Sequence, residues 1–215
     1  SSPTYDIVAT TLPVYEFAVI LCDGSDLSIG RLITENVSCL HDYTLQVAQM
    51  KMIECADVVL ISGLGLEDFL EDALTNTSVT IDASSNTHVH DNSYHHDDHQ
   101  FEHNHNHETD PHIWLSPINA TIMAENLAKG LSERYPDFKE LFSNNLNTLK
   151  QQIQQVQAYG DTNLSKLSCR ELITFHDGFS YFAESFDLEI LEAVEEESGS
   201  EASAAMIIHL ANLVN

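Results

Sequence analysis

Across residues 5–83, short β-rich runs alternate with helical stretches, and this rhythm constrains the fold more than any other feature of the chain. Tyr5–Thr11 (YDIVATT) reads as a strand, and Pro13 then opens an apolar helix through about Leu21. Leu27–Thr34 reads as a second strand, and Thr44–Ala56 as a helix with Leu45, Ala48, Met52 and Ile53 on one face. Asp57–Ser62 (DVVLIS) is a continuous apolar run, as expected of a strand buried on both faces. Leu66–Leu74 follows as a short helix and Ser78–Ala83 as a fourth strand. The pattern predicts a parallel sheet with helices on both sides and ligand-binding loops at the C-terminal ends of its strands.

Composition then changes abruptly. Ser84–Asp110 holds almost nothing apolar, no Lys or Arg, and eight of the twelve histidines, so it reads as a loop inserted into a folded unit. Beyond it, Ser116-Pro117 starts a helix with Ile118, Ile122, Leu127 and Leu131 on one face. Tyr135-Pro136-Asp137 ends it and begins a longer helix, carrying Phe138, Leu141, Phe142, Leu149, Ile153 and Val156 on one stripe and stopping at Gly160. A helix of about 22 residues spans about 33 Å, enough to brace one lobe against another. Glu171–Phe175 and Leu188–Val194 read as strands around a short helix at Phe179–Ser185, and Ala202–Val214 as a last helix. A two-stranded sheet rarely stands alone, so this last part reads as an unfinished second α/β unit.

Charge narrows the partners. With 34 acidic residues against 8 basic ones, a formal −26, the chain repels nucleic acid and anionic lipid and attracts cations. No apolar run reaches the roughly 20 residues of a membrane-spanning helix. Ser1-Ser2-Pro3 leads almost directly into the first strand with no signal segment, as in a mature or trimmed form. The four cysteines, Cys22, Cys39, Cys55 and Cys169, form no C-x-x-C pair. Cys22 and Cys55 fall near helix ends where a bridge is conceivable, with buried free thiols as the alternative. Cys39 stands two residues from a candidate ligand.

The histidines carry the chemistry. His88, His90, His95, His96, His99, His103, His105 and His107 are interleaved with Asp91, Asp97, Asp98 and Glu102. Imidazole and carboxylate together suit zinc, and the internal position argues against an expression tag. A flexible loop loses ordering entropy at each chelation, so these sites should collect or buffer metal more weakly than a preformed site. Of the other four histidines, His41 (VSCLHDY), His112 (DPHIWLSP) and His176 (TFHDGF) occupy loop or strand-end positions that can converge in space. Three imidazoles plus an oxygen donor complete a tetrahedral zinc site. His209, inside the last apolar helix, reads as structural.

VATTLPVYEF, HDYTLQVAQMKMIECADVVLISGLGLEDFL, DPHIWLSPINA and TFHDGFSYFAESFDLEI, in that order, make the chain resemble the zinc-binding members of the metal-specific substrate-binding proteins of ABC transporters. The resemblance implies two Rossmann-like α/β lobes joined by one long rigid helix. Mapped onto this chain, these are an N-terminal lobe over 1–134 with the His-rich loop 84–110, a linking helix over 137–160, and a partial C-terminal lobe over 164–215. It implies His41, His112 and His176 as nitrogen ligands, with zinc as the cargo. Manganese is the lesser choice, because manganese-type relatives typically carry Glu at the position of His176. The family's usual late Asp or Glu ligand is not reached before Asn215, which reads as a fragment, or as a site completed by water, by Glu196 or a neighbour, or by another molecule. Leu40 stands where some relatives carry an acid.

The resemblance further implies capture of zinc outside the bacterial membrane, at a lipid-anchored cell-surface or periplasmic location, and delivery to a membrane permease. A free-standing zinc buffer or surface adhesin is the alternative. An enzyme, a zinc hydrolase with three protein ligands plus water, is the disfavoured alternative of another class. H-E-x-x-H is missing, and His107-Glu108-Thr109-Asp110-Pro111-His112 has three residues after Glu and a proline against a helix interior. G-x-S-x-G and a P-loop are absent, and Gly63-Leu64-Gly65 lacks the third glycine of a dinucleotide fingerprint. Ligation needs neutral imidazole, so affinity should fall steeply below about pH 6.

Overall fold

A computed structural model describes residues 4–34, 40, 43–75, 79–89, 109–195 and 204–213. Four short strands, β1 (Ile7–Ala9), β2 (Ile29–Arg31), β3 (Val58–Ile61) and β4 (Thr80–Asp82), form one parallel sheet in the order β2-β1-β3-β4. Both faces are covered. Ile7, Ala9, Val58 and Leu60 point into one apolar cluster, Val8 and Val59 into another. This two-sided burial is why DVVLIS is continuously apolar instead of alternating.

Helix α1 (Leu12–Leu21) packs Val14, Ala18 and Leu21 into the first cluster. The second is closed by Ile53 of α2 (Val47–Cys55) and by Leu70, just before α3 (Glu71–Leu74). Helix α4 (Pro117–Arg134) starts on Ser116, whose side chain accepts from the Asn119 amide, with Pro117 in the first turn. It buries Ala120, Met123, Ala124, Leu127, Ala128 and Leu131. The expected stripe through Ile118 is wrong: Ile118 is 61% exposed. Leu127 stands nine positions further on, which at 100° per residue places the two on opposite faces. Ala48 is likewise exposed, and Gln49 takes the buried place on α2, donating to the Leu32 carbonyl and the Tyr43 hydroxyl.

Helix α5 (Lys139–Leu164) has 26 residues and runs four residues past Gly160, the expected stop. At 1.5 Å per residue it is about 39 Å long. Gly160 is there for closeness: a Cβ on it would overlap the Phe186 ring. The expected stripe on this helix fades along its length, from buried Phe142 and Leu149 to Val156 at 62% exposed.

After α5, the parallel pair β5 (Glu171–His176) and β6 (Glu189–Glu195) encloses α6 (Ser180–Ser185), and α7 (Ala204–Leu213) follows. Tyr181 of α6 is 1% exposed and belongs to the first cluster, with α1, α4 and α5. His209 is half exposed; its Nε2 lies 3.0 Å from Glu192 Oε2, tying α7 to β6. Cys22 and Cys55 do stand at helix ends but are free, as is Cys169; burial pushes the Cys22 thiol up to about 12. Cys39 lies outside the described residues. None of the described helices is long and apolar enough to cross a membrane.

Candidate metal centre

In a sheet ordered β2-β1-β3-β4 the connections diverge between β1 and β3, where parallel sheets usually bind ligands. Here that crevice is filled by the chain's own Glu67. Its carboxylate accepts from Thr10 Oγ1 (2.7 Å), the Ser62 amide (2.7 Å) and the Gly63 amide (3.0 Å). Burial pushes the Glu67 carboxyl above its ordinary value, further aided by the Asp82 charge and opposed by these three hydrogen bonds. The loop it holds is unusual, for Gly63, Leu64 and Gly65 all have positive φ (89°, 57° and 81°). Only the two glycines accept that without strain.

The candidate ligands lie further along. His112 caps a short 3-10 turn at Ile113–Leu115 that is anchored by fully buried Ile113 and runs directly into α4. Its ring leans on Trp114, with centroids 5.3 Å apart. Asp110, 4% exposed, organises this segment. Its Oδ1 accepts from the His112 amide (3.0 Å) and lies 2.7 Å from His112 Nδ1. Ser180 donates to its Oδ2, and Tyr181 Oη donates to its carbonyl at 2.7 Å. Burial alone would raise the Asp110 carboxyl, yet the hydrogen bonds from His112 and Ser180 outweigh it and hold the group below its ordinary value. A carboxylate on Nδ1 fixes the imidazole so that Nε2 presents its lone pair outward, the arrangement that orients metal-binding histidines.

His176 ends β5 and faces His112. The rings are 5.0 Å apart and nearly perpendicular (75°), and the two Nε2 atoms are separated by 3.1 Å. Two nitrogens about 2.05 Å from one tetrahedral zinc would be about 3.3 Å apart. The pair therefore has the spacing of two ligands to one ion. Gly178 makes room for it: a Cβ there would come within 2.9 Å of His112 Cε1. In the parallel register His176 pairs with Glu195, the residue before Glu196.

His41, Glu196 and, in the loop, His90, His95, His96, His99, His103, His105 and His107 lie outside the described residues. His88 is described and exposed. Its backbone is clamped by buried Asn119, which accepts from the His88 amide and donates to its carbonyl, both at 2.8 Å. Among the described residues no group of three or more His, Cys, Asp or Glu is placed to hold a metal ion. Sequence reading missed Asp110, Gly178, Ser180 and Tyr181; only Asp110, two residues before a candidate ligand, gave a visible signal.

The family profile described as "ZnuA: Zinc-uptake complex component A periplasmic" matches residues 7–215. The chain belongs to this family. The zinc-binding protein AdcA of Streptococcus pyogenes serotype M3 is 28% identical over 223 residues, which cover 97% of this chain and 43% of AdcA. The zinc-binding lipoprotein AdcA of Streptococcus pneumoniae R6 is 29% identical over 97% of this chain and 42% of its own length. The chain thus spans less than half of these curated relatives.

Solved structures match the fold along almost the whole of this chain. ZnuA superposes with a TM-score of 0.82 at 24% identity, over 99% of this chain and 78% of that one. Zn(II)-bound AdcA from S. pneumoniae gives 0.79 at 26%, over 99% and 44%. An Mn-bound periplasmic metal-binding protein (S38A mutant) of candidatus Liberibacter asiaticus gives 0.78 at 21%, over 97% and 75%, a likeness of fold alone. The parallel sheet and long helix are therefore those of ZnuA-like solute-binding proteins, a family that is not one of enzymes.

Proposed function

We propose that this chain captures zinc outside the bacterial cell for an ABC-type importer. The observation that carries the reading is the His112–His176 pair, with Nε2 atoms 3.1 Å apart and His112 oriented by Asp110. His41 would be the third nitrogen ligand, and an oxygen donor such as Glu196 or water the fourth. Capture needs no covalent chemistry, only coordination of the ion by neutral imidazoles. The −26 charge raises the local cation concentration, the loop histidines collect the ion weakly, and the histidine pair takes it. Nitrogen-rich ligation favours zinc over manganese, which prefers carboxylate, carbonyl and water, even though a fold relative is Mn-bound. Delivery to a permease, an extracytoplasmic location and a lipid anchor belong to this proposal, supported by the periplasmic and lipoprotein descriptions of relatives.

Deleting the gene in its host tests the reading. Zinc uptake and growth in zinc-depleted medium should fall and recover with added zinc. Undiminished uptake, with lost adhesion or lost zinc tolerance instead, would favour a surface adhesin or a free-standing buffer.

A further inference from the structure

The two imidazoles come from different units, His112 from the turn between β4 and α4 and His176 from the end of β5 in the two-stranded sheet, so their spacing depends on how the second unit docks on the first. Resting on the zinc-capture reading, we propose that the first turn of α6 is the docking joint: Ser180 and Tyr181, bound to Asp110, are positioning residues that set the His112–His176 distance.

Asp110 is shared by both sides of the joint. Its Oδ1 lies on His112 Nδ1, its Oδ2 accepts from Ser180 Oγ, and its carbonyl accepts from Tyr181 Oη at 2.7 Å. Tyr181 is 1% exposed and plugs the core of the four-stranded unit. Only three residues separate His176 from Ser180. Between them Gly178 lies beside the His112 ring, where a Cβ would come within 2.9 Å of His112 Cε1. Segment 176–181 therefore meets segment 110–112 at the paired rings, at the Gly178 backbone and at the two hydroxyls. A joint so close to the ligands controls their separation to a few tenths of an ångström, which is the tolerance of zinc coordination distances. If the hydroxyls merely satisfied buried acceptors, their removal would cost stability but leave the metal's surroundings unchanged.

The test uses the full chain carrying Ser180→Ala or Tyr181→Phe, each alone and combined with His176→Ala. Tyr181→Phe keeps the ring in the core, and Ser180→Ala changes only a part-buried hydroxyl, so either variant suffices if the other misfolds. Zinc affinity is read by chelator competition, and ligand geometry by the visible absorption of bound Co2+. Each substitution should weaken zinc about tenfold, as outer-shell changes do, and alter the Co2+ spectrum. Neither should cost anything further once His176 is gone. Unchanged affinity and spectrum, or losses that add in full to that of His176→Ala, would overturn the joint. If His112→Ala and His176→Ala themselves leave tight binding intact, the zinc-capture reading loses the pair that carries it, and the joint falls with it. Histidine dependence with silent hydroxyl variants sinks the joint alone.

Discussion

Glu67 and Asp110 are both buried carboxylates, and their surroundings push them in opposite directions. Asp110 is held down by hydrogen bonds that outweigh burial, whereas burial wins at Glu67 and raises it. A raised carboxyl means that the folded state binds more protons than the unfolded one just above the ordinary Glu value of about 4.3. Stability should therefore fall as pH rises through that window and recover on acidification. Glu67→Gln removes the titration: urea denaturation from about pH 4 to 8 should show the wild type gaining on the variant as pH falls. A pH-independent difference would contradict burial as the governing term. At this scale sequence reading could name His112 and His176 but not their shell. Ser180 and Tyr181 lie about 70 residues from Asp110 and carry no local mark of that partnership.

Among the elements, alternation was the readable signal, because a strand buried on both faces must be apolar throughout, and β1 and β3 are. Helix phase was less readable. Ile118 suggested a stripe, but small residues, Ala120, Ala124 and Ala128, share the buried face of α4 with Met123, Leu127 and Leu131. Gly160 misled for a physical reason, since close approach and helix termination both select glycine. The two readings differ in outcome. Gly160→Ala gains about 1 kcal/mol of helix propensity inside α5 but forces a methyl into the Phe186 ring, and overpacking costs about 1–3 kcal/mol. The variant should melt below the wild type. An unchanged or raised melting temperature would show that Phe186 can move aside.

For the whole molecule, the fold class was legible because the four motifs are ordered along nearly the entire chain, and the family match over 7–215 bears that out. The candidate centre could be read from the sequence only as a set of histidines. His112 and His176 are 64 residues apart, and their approach to 3.1 Å depends on α5 and α6 carrying the second sheet onto the first. The central claim is that this pair, not the loop, is the tight zinc site. It is tested most directly by a zinc titration, with a competing chelator, of the chain lacking His90–Glu108, a deletion that keeps the His88–Asn119 clamp. One tight site should survive the deletion and vanish on adding His176→Ala. Tight binding that disappears with the loop, or persists without His176, would contradict the account.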